Sequence, residues 1–177
     1  MTETGNNSIA EFGVLQKKKI SHQPLQKLSA AITRPSKRKR VTISSILPIG
    51  KEAQAAFDAL DIDSTDEVYY PEGWIPSNHA LDEHNGAIKF SWKGSPMNIE
   101  GQAYYDHLHP AEIMMASSLR LSPVQYLKCK RTLIMAAKKL QEQRVPFTKS
   151  VAQRLCRVDV NKTSALWTIF GQLGWFN

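Results

Sequence analysis

An apolar stripe with the period of an α-helix runs through residues 126–140. Its members recur at i, i+3, i+7, i+10, i+11 and i+14, on one side of a helix: Tyr126, Cys129, Leu133, Ala136, Ala137 and Leu140. Ser122-Pro123-Val124-Gln125 precedes the stripe and is typical of a capping box. The sequence therefore predicts a long helix with an apolar side, and an opposite side that carries Lys128, Arg131, Lys138 and Glu142.

Shorter helices are predicted on both sides of the long one. His109-Pro110 favours a helix that begins there, has Glu112 in its first turn and ends near Arg120. Pro146 ends the long helix, and Thr148 is expected to cap a short helix over 149–156. Asp159 then caps a last helix, whose inward side is formed by Leu166, Ile169, Phe170 and Leu173. The C-terminal half is therefore predicted to be all-α.

The last predicted helix has an unusual outward face. At 100° per residue this face holds only small or neutral polar side chains: Asn161, Ser164, Ala165, Thr168 and Gln172. Arg157, Lys162 and Thr163 flank its start. Two helices joined by a tight turn form a helix-turn-helix, in which a slim second helix fits a DNA groove and nearby cations contact phosphates. The alternative is an ordinary solvated helix in an all-α domain.

Charge is distributed in three blocks along the 177 residues. Residues 1–51 carry ten Lys or Arg and two Asp or Glu, residues 52–109 carry two and eleven, and residues 110–177 carry eleven and three. The chain is thus basic, then acidic, then basic, with a net charge of +7. A basic block that folds indicates binding to nucleic acid or to an acidic protein surface.

Residues 1–50 lack a sustained hydrophobic period, so we expect a disordered basic tail. Its short basic cluster fits a nuclear import signal, although a plain solvating tail remains the alternative: Lys37, Arg38, Lys39 and Arg40. The start of the sequence lacks the pattern of a secretory signal, and we expect the protein to stay inside the cell, in the nucleus.

The acidic block is expected to be mostly a linker. Residues 51–60 favour a short helix, after which acid, aromatic and proline residues are mixed up to residue 86, in a linker that could also dock. Its segment 58–72 could cover the basic face of the domain that follows, or could be linker alone. The alternation of Ile88, Phe90 and Trp92 and the turn residues KGSP predict a small β-hairpin over 87–99.

Enzyme and membrane classes have little support. No run of about 18 apolar residues is present, so we expect no membrane span. Cys129 and Cys156 are too few for a thiolate zinc site, and the pair His107 and His109 lacks converging ligands, so that His109 is better explained as a helix cap. No G-x-S-x-G or dinucleotide fingerprint is found. We expect no catalysis, cofactor, metal or small-molecule substrate.

Several segments together resemble a SWIRM domain, a helical chromatin module. They are the HPAE segment at 109–112, LSPVQYLKCKRTLI, and FTKSVAQRLCRVDVNKTSALWTIFGQLGWF, and the resemblance covers about residues 88–177. It is closest to adaptor-type SWIRM domains and to small stand-alone fungal SWIRM proteins, which place a K-F-x-W-K-G segment before the domain, as Lys89 to Gly94 do here. The corresponding domain boundaries are 1–50 for the tail, 51–86 for the linker and 87–177 for the SWIRM domain with its hairpin.

The resemblance implies a compact bundle of about five helices with a C-terminal helix-turn-helix, winged-helix-like but without a wing. It also implies that DNA is bound by the last helix and nearby residues: Lys149, Arg154, Arg157, Asn161, Lys162, Thr163 and Ser164. Small fungal members associate with class I histone deacetylase complexes. The expected function is thus a non-enzymatic, chromatin-associated subunit that binds double-stranded or nucleosomal DNA and contributes to transcription regulation. The alternative is a module that docks on histones or on subunits of an acetyltransferase or remodelling complex.

Overall fold

The computed structural model describes residues 41–83, 88 and 90–177. Seven α-helices and two 3₁₀ turns, at Ile43–Ser45 and Tyr105–His107, lie in these ranges, and none of their residues is in a strand. The prediction of an all-α fold is confirmed. The helices are α1 (Lys51–Asp58), α2 (Asp66–Tyr69), α3 (Asn78–Glu83), α4 (Pro110–Ser118), α5 (Pro123–Glu142), α6 (Lys149–Ala152) and α7 (Val160–Gln172).

Four helices begin at the caps that the sequence predicts. His109 Nδ1 accepts a hydrogen bond from Ala111 N at 3.2 Å, and Glu112 reaches back to His109 N at 3.0 Å. Ser122 and Gln125 form the expected capping box of α5. Thr148 caps α6, and Asp159 caps α7. Because these contacts join residues two or three positions apart, local sequence is sufficient to predict them.

Helix α5 lies at the centre of the core and contacts both α4 and α7. Its predicted apolar stripe is buried throughout, from Tyr126 to Leu140. Tyr126 and Phe170 of α7 pack edge to face, with ring centroids 6.1 Å apart. The inward side of α7 is thereby confirmed, since Leu166, Ile169 and Phe170 are each no more than 1% exposed.

The acidic block packs against this core. Phe57, Ile62, Tyr70 and Leu81 are buried in the same cluster as α4, α5 and α7. The short helices α2 and α3 interrupt the segment, as its proline and acid content predicts. The segment that we expected to be a linker therefore docks, because its scattered apolar side chains cover one side of α5.

Two cations of α5 lie beneath the docked segment. Arg131 was predicted to face solvent, but this was wrong, since it is 2% exposed and lies 4.2 Å from the ring centre of Tyr69. Its guanidinium donates to Asp61 O at 2.7 Å and also contacts Ser64 O and Asp66. Lys130, 3% exposed, forms 2.9 Å ion pairs with Asp66 and Glu112. Acceptors from the acidic block, together with Glu112 of α4, surround the two cations and allow their burial.

Two other predictions need correction. Disorder was predicted up to residue 50, but Leu47 is buried against α5 and α6 in a small cluster with Ala136, Leu140 and Leu155, because its segment is apolar enough to pack there. The hairpin predicted over 87–99 lies partly outside the described residues, and Ile88 and residues 90–99 form no strand. Met97 instead exchanges two hydrogen bonds with Ser117 of α4, which hold this segment on α4.

Helix α6 is shorter than the predicted 149–156 and ends at Ala152, where i→i+3 hydrogen bonds tighten the chain. None of the helices in the described ranges is long and apolar enough to cross a membrane. The same ranges hold no group of three or more His, Cys, Asp or Glu side chains arranged to bind a metal ion.

Candidate nucleic-acid interface

Helices α6 and α7 form the predicted helix-turn-helix, joined by residues 153–159. Gln153, just after α6, donates its side-chain amide to Ser164 Oγ of α7 at 2.7 Å. Ser164 in turn donates to Val160 O at 2.7 Å, and Thr168 donates to Ser164 O at 3.0 Å. The hydroxyl groups of Ser164 and Thr168 donate to backbone carbonyls of α7, so these side chains lie against the helix and do not enlarge its outer surface.

The outward strip of α7 consists of Asn161, Ala165, Thr168 and Gln172. Asn161 and Gln172 are exposed, and Ala165 and Thr168 are half-buried. No side chain of the strip is charged or larger than glutamine. A helix with so slim a surface can approach the base edges of a major groove closely.

Two predicted residues of α7 are less accessible than expected. Thr163 is completely buried, and its hydroxyl donates to Asp159 O at 3.3 Å, so its assignment to DNA contact is wrong. Thr163 precedes Leu166 by three positions and Phe170 by seven, a spacing that already placed it on the inward side. Ser164 is half-buried beside Gln153 and presents only part of its surface.

Lys149 and Arg154 are exposed on the α6 side of the interface. Lys149 Nζ lies 5.5 Å from the ring centre of Trp167. Arg154 donates to the backbone and side-chain oxygens of Ser150, both at 3.3 Å. Neither cation is paired with a carboxylate within the described ranges, so both are available to phosphates.

Arg157, in the turn between α6 and α7, is exposed but forms an ion pair with Asp58 at the end of α1. The carbonyl of Asp58 also accepts a hydrogen bond from Lys128 at 2.5 Å, which fixes this end of α1 on α5. The acidic block thus contacts the predicted DNA-binding residues at one point. No local pattern could have found this pair, because its members are 99 residues apart.

Lys162 is half-buried and donates its ammonium group to Arg120 O at 2.8 Å. Arg120 follows α4 and is exposed, and its carbonyl lies beside the start of α7. The sequence prediction did not include Arg120, which lies 42 residues before Lys162. The four import residues 37–40 lie outside the described residues.

Both cysteines are buried, and hydrogen bonding to Cys156 together with burial raises the pKa of Cys129 well above its usual value. A protonated thiol is a poor nucleophile and a poor metal ligand. At the α6–α7 unit, the described surface offers a ligand its exposed cations and the neutral strip of α7.

A sequence model of the SWIRM domain matches residues 98–177, which include the whole of α4 to α7. Among curated proteins, the chain is 37% identical over 105 residues to the SWIRM domain-containing protein FUN19 of Saccharomyces cerevisiae, which is 59% of this chain and 25% of that protein. It is 34% identical over 129 residues to the SWIRM domain-containing protein laf1 of Schizosaccharomyces pombe, or 72% of this chain and 43% of that protein.

A second protein of Saccharomyces cerevisiae, the SWIRM domain-containing protein YOR338W, is 38% identical over 103 residues, 58% of this chain and 28% of its own length. The matched segments thus span less than half the length of these relatives. No solved structure matches the chain significantly. The chain therefore carries a SWIRM domain at residues 98–177 and is homologous to these fungal SWIRM domain-containing proteins.

Proposed function

We propose that the chain is a non-enzymatic, chromatin-associated subunit that binds nucleosomal or linker DNA through α6 and α7. The observation that carries this proposal is the neutral outward strip of α7 beside the exposed cations Lys149 and Arg154. Binding of this kind relies on phosphate contacts, which carry no sequence information directly, so it has little sequence preference. Association with chromatin places the protein in the nucleus.

The proposed setting is a histone-modifying complex, namely a histone deacetylase complex, in which the chain contributes to transcription regulation. This part is supported by the likeness to small fungal SWIRM proteins and not by a contact in the fold. Purification of the tagged chain from nuclear extract, followed by identification of its partners and assay of deacetylase activity, tests it. Recovery with acetyltransferase or remodelling subunits alone would contradict the deacetylase assignment.

DNA binding is tested by the salt dependence of affinity for a 30-base-pair duplex. If about three to five phosphates are contacted, log K falls against log salt with a slope of roughly −3 to −4. The double variant Lys149→Ala/Arg154→Ala is expected to reduce the magnitude of the slope by about two, one for each lost phosphate contact.

The matched control is Lys51→Ala/Lys139→Ala, which removes two exposed cations from α1 and α5. It should leave the slope unchanged, and both double variants should keep the wild-type helical content. Equal weakening by the two variants would show that net charge, and not this surface, determines binding.

The second candidate function is docking on an acidic protein surface, such as a histone or a complex subunit. The observation in its favour is the ion pair between Arg157 and Asp58, in which a protein carboxylate already contacts the same surface. Absence of any complex with the duplex at low salt, together with binding to an acidic histone or subunit surface, would favour this candidate over DNA.

A further inference from the structure

Arg120 follows α4 in a backbone conformation that favours glycine. Its φ angle is +55°, in the left-handed region. Arg120 N donates to Ser117 O at 3.0 Å, and Leu121 N donates to Ala116 O at 2.9 Å, so that α4 ends in a Schellman motif. Glycine is the usual residue at this point because a Cβ atom destabilises the left-handed conformation.

The side chain of Arg120 is exposed. Its Nη1 lies against Gly94, 3.8 Å from where a Cβ atom at that glycine would be. Across the described part of the chain, no carboxylate lies within 4.0 Å of the guanidinium. The fold therefore has an arginine where glycine is preferred, and it gains no ion pair from this residue.

Arg120 and α6 lie on opposite sides of the outward strip of α7. The carbonyl of Arg120 accepts the hydrogen bond from Lys162, and Gln153 after α6 donates to Ser164. Lys162 and Ser164 are about 160° apart around α7, at 100° per residue. Asn161 and Ala165 of the strip lie in the arc between them. The backbone of Arg120 thus lies on the Lys162 side of the strip, and α6 lies on the Ser164 side.

We propose that Arg120 contacts a DNA phosphate and extends the interface to the side of α7 away from Lys149 and Arg154. The inference rests on the proposed function. A helix in the major groove, which is about 12 Å wide, has one phosphate backbone along each of its sides. Cations on both sides of α7 therefore contact both strands. Exposed Lys93, next to Gly94, adds a second positive charge near Arg120.

The decisive variant is Arg120→Gly, because glycine suits the left-handed backbone and removes the charged side chain. Its thermal midpoint should equal or exceed that of the wild type. Its affinity for the 30-base-pair duplex at 0.1 M salt should fall about five- to tenfold, and the magnitude of the salt slope should fall by about 0.9, as expected for one lost phosphate contact.

Arg144→Gly is a matched control. Arg144 has a φ angle of +54° and ends α5 in the same motif, with Val145 N donating to Leu140 O at 2.9 Å. It is exposed and follows the opposite end of α5, a helix of 20 residues, which corresponds to about 30 Å. The variant loses the same charge from the same conformation, and its salt slope should equal that of the wild type.

Two outcomes overturn the assignment of Arg120 but leave the proposed function standing. They are unchanged DNA affinity of Arg120→Gly, and equal weakening by Arg120→Gly and Arg144→Gly. Absence of DNA binding by the folded wild-type chain overturns the proposed function as well. A selective effect of Arg120→Gly with retained thermal stability supports the assignment.

Discussion

At the scale of single residues, the interface contains one cation that is already neutralised. Arg157 is paired with Asp58, whereas Lys149 and Arg154 have no carboxylate partner in the described ranges. A DNA phosphate must therefore compete with the Asp58 carboxylate for Arg157. Exposed ion pairs contribute about 1 kcal/mol or less to stability, so the pair can exchange for a phosphate without unfolding the chain.

Asp58→Asn is expected to strengthen DNA binding, because it removes this competing carboxylate and one negative charge near the interface. The increase should be about two- to fivefold, which corresponds to an exposed pair worth up to about 1 kcal/mol. Titration of the 30-base-pair duplex by fluorescence anisotropy measures it. The control is Asp63→Asn, an exposed aspartate that is bonded to Tyr104 instead of Arg157. Weaker binding by Asp58→Asn would contradict a role of the acidic block in limiting access to Arg157.

Whether a residue could be predicted depended mainly on how far apart in the sequence the contacting residues lie. The caps His109, Ser122, Thr148 and Asp159 could be predicted because each bonds residues two or three positions away. The burial of Arg131 could not, since its acceptors follow from how the acidic block docks. Thr163 is an error of a different kind, because its helical spacing to Phe170 was sufficient to place it inside.

At the scale of elements, helix α5 carries three buried side chains whose pKa is raised: Tyr126, Cys129 and Lys130. Burial, and then the charge and hydrogen bond of Glu112, raise the pKa of Tyr126 well above its usual value. Burial lowers the pKa of Lys130, but the charges and hydrogen bonds of Glu112 and Asp66 outweigh it, and the net shift is upward.

Alkaline pH is therefore expected to destabilise the fold. In each of these groups the folded state retains a proton that the unfolded state has lost, so the free energy of unfolding falls as pH rises above the unfolded pKa. That value is about 8.5 for cysteine and about 10 for tyrosine and lysine. Each group contributes at most about 1.4 kcal/mol per pH unit. Urea denaturation between pH 7 and pH 10.5 measures the loss, and Cys129→Ala should delay its onset. Constant stability over this range would contradict the raised pKa values.

The helices themselves were the most predictable elements. The boundaries of α4, α5 and α7 follow from a cap at one end and an apolar period between, which are local properties. Residues 90–99 were predicted as part of a hairpin but form no strand, because alternation of apolar residues also occurs in an extended chain that packs on a helix without pairing. Met97, bonded to Ser117, is an example of this packing.

At the scale of the whole molecule, the matched SWIRM range does not contain the complete core. Residues 98–177 leave out Phe57, Ile62, Tyr70 and Leu81, which are all buried against α4, α5 and α7. They also leave out Asp66, the partner of Lys130 and Arg131. The docked acidic block therefore stabilises the SWIRM domain of this chain, and it places Asp58 beside Arg157.

A fragment of residues 98–177 is accordingly expected to be less stable than a fragment of residues 41–177. Each of the four lost side chains buries apolar surface worth about 1.5 to 3 kcal/mol, so the difference should exceed the effect of a single core truncation, about 3 to 5 kcal/mol for Phe170→Ala. Removal of the block also exposes Lys130 and Arg131 to water, which relieves the cost of burying their charges and offsets part of the loss. Urea denaturation followed by circular dichroism compares the unfolding free energies of the two fragments. The loss caused by Phe170→Ala in the longer fragment is the reference for a single core truncation. Equal unfolding free energies would mean that the block covers α5 without stabilising it, and the contact between Asp58 and Arg157 would then have to be explained by the ion pair alone.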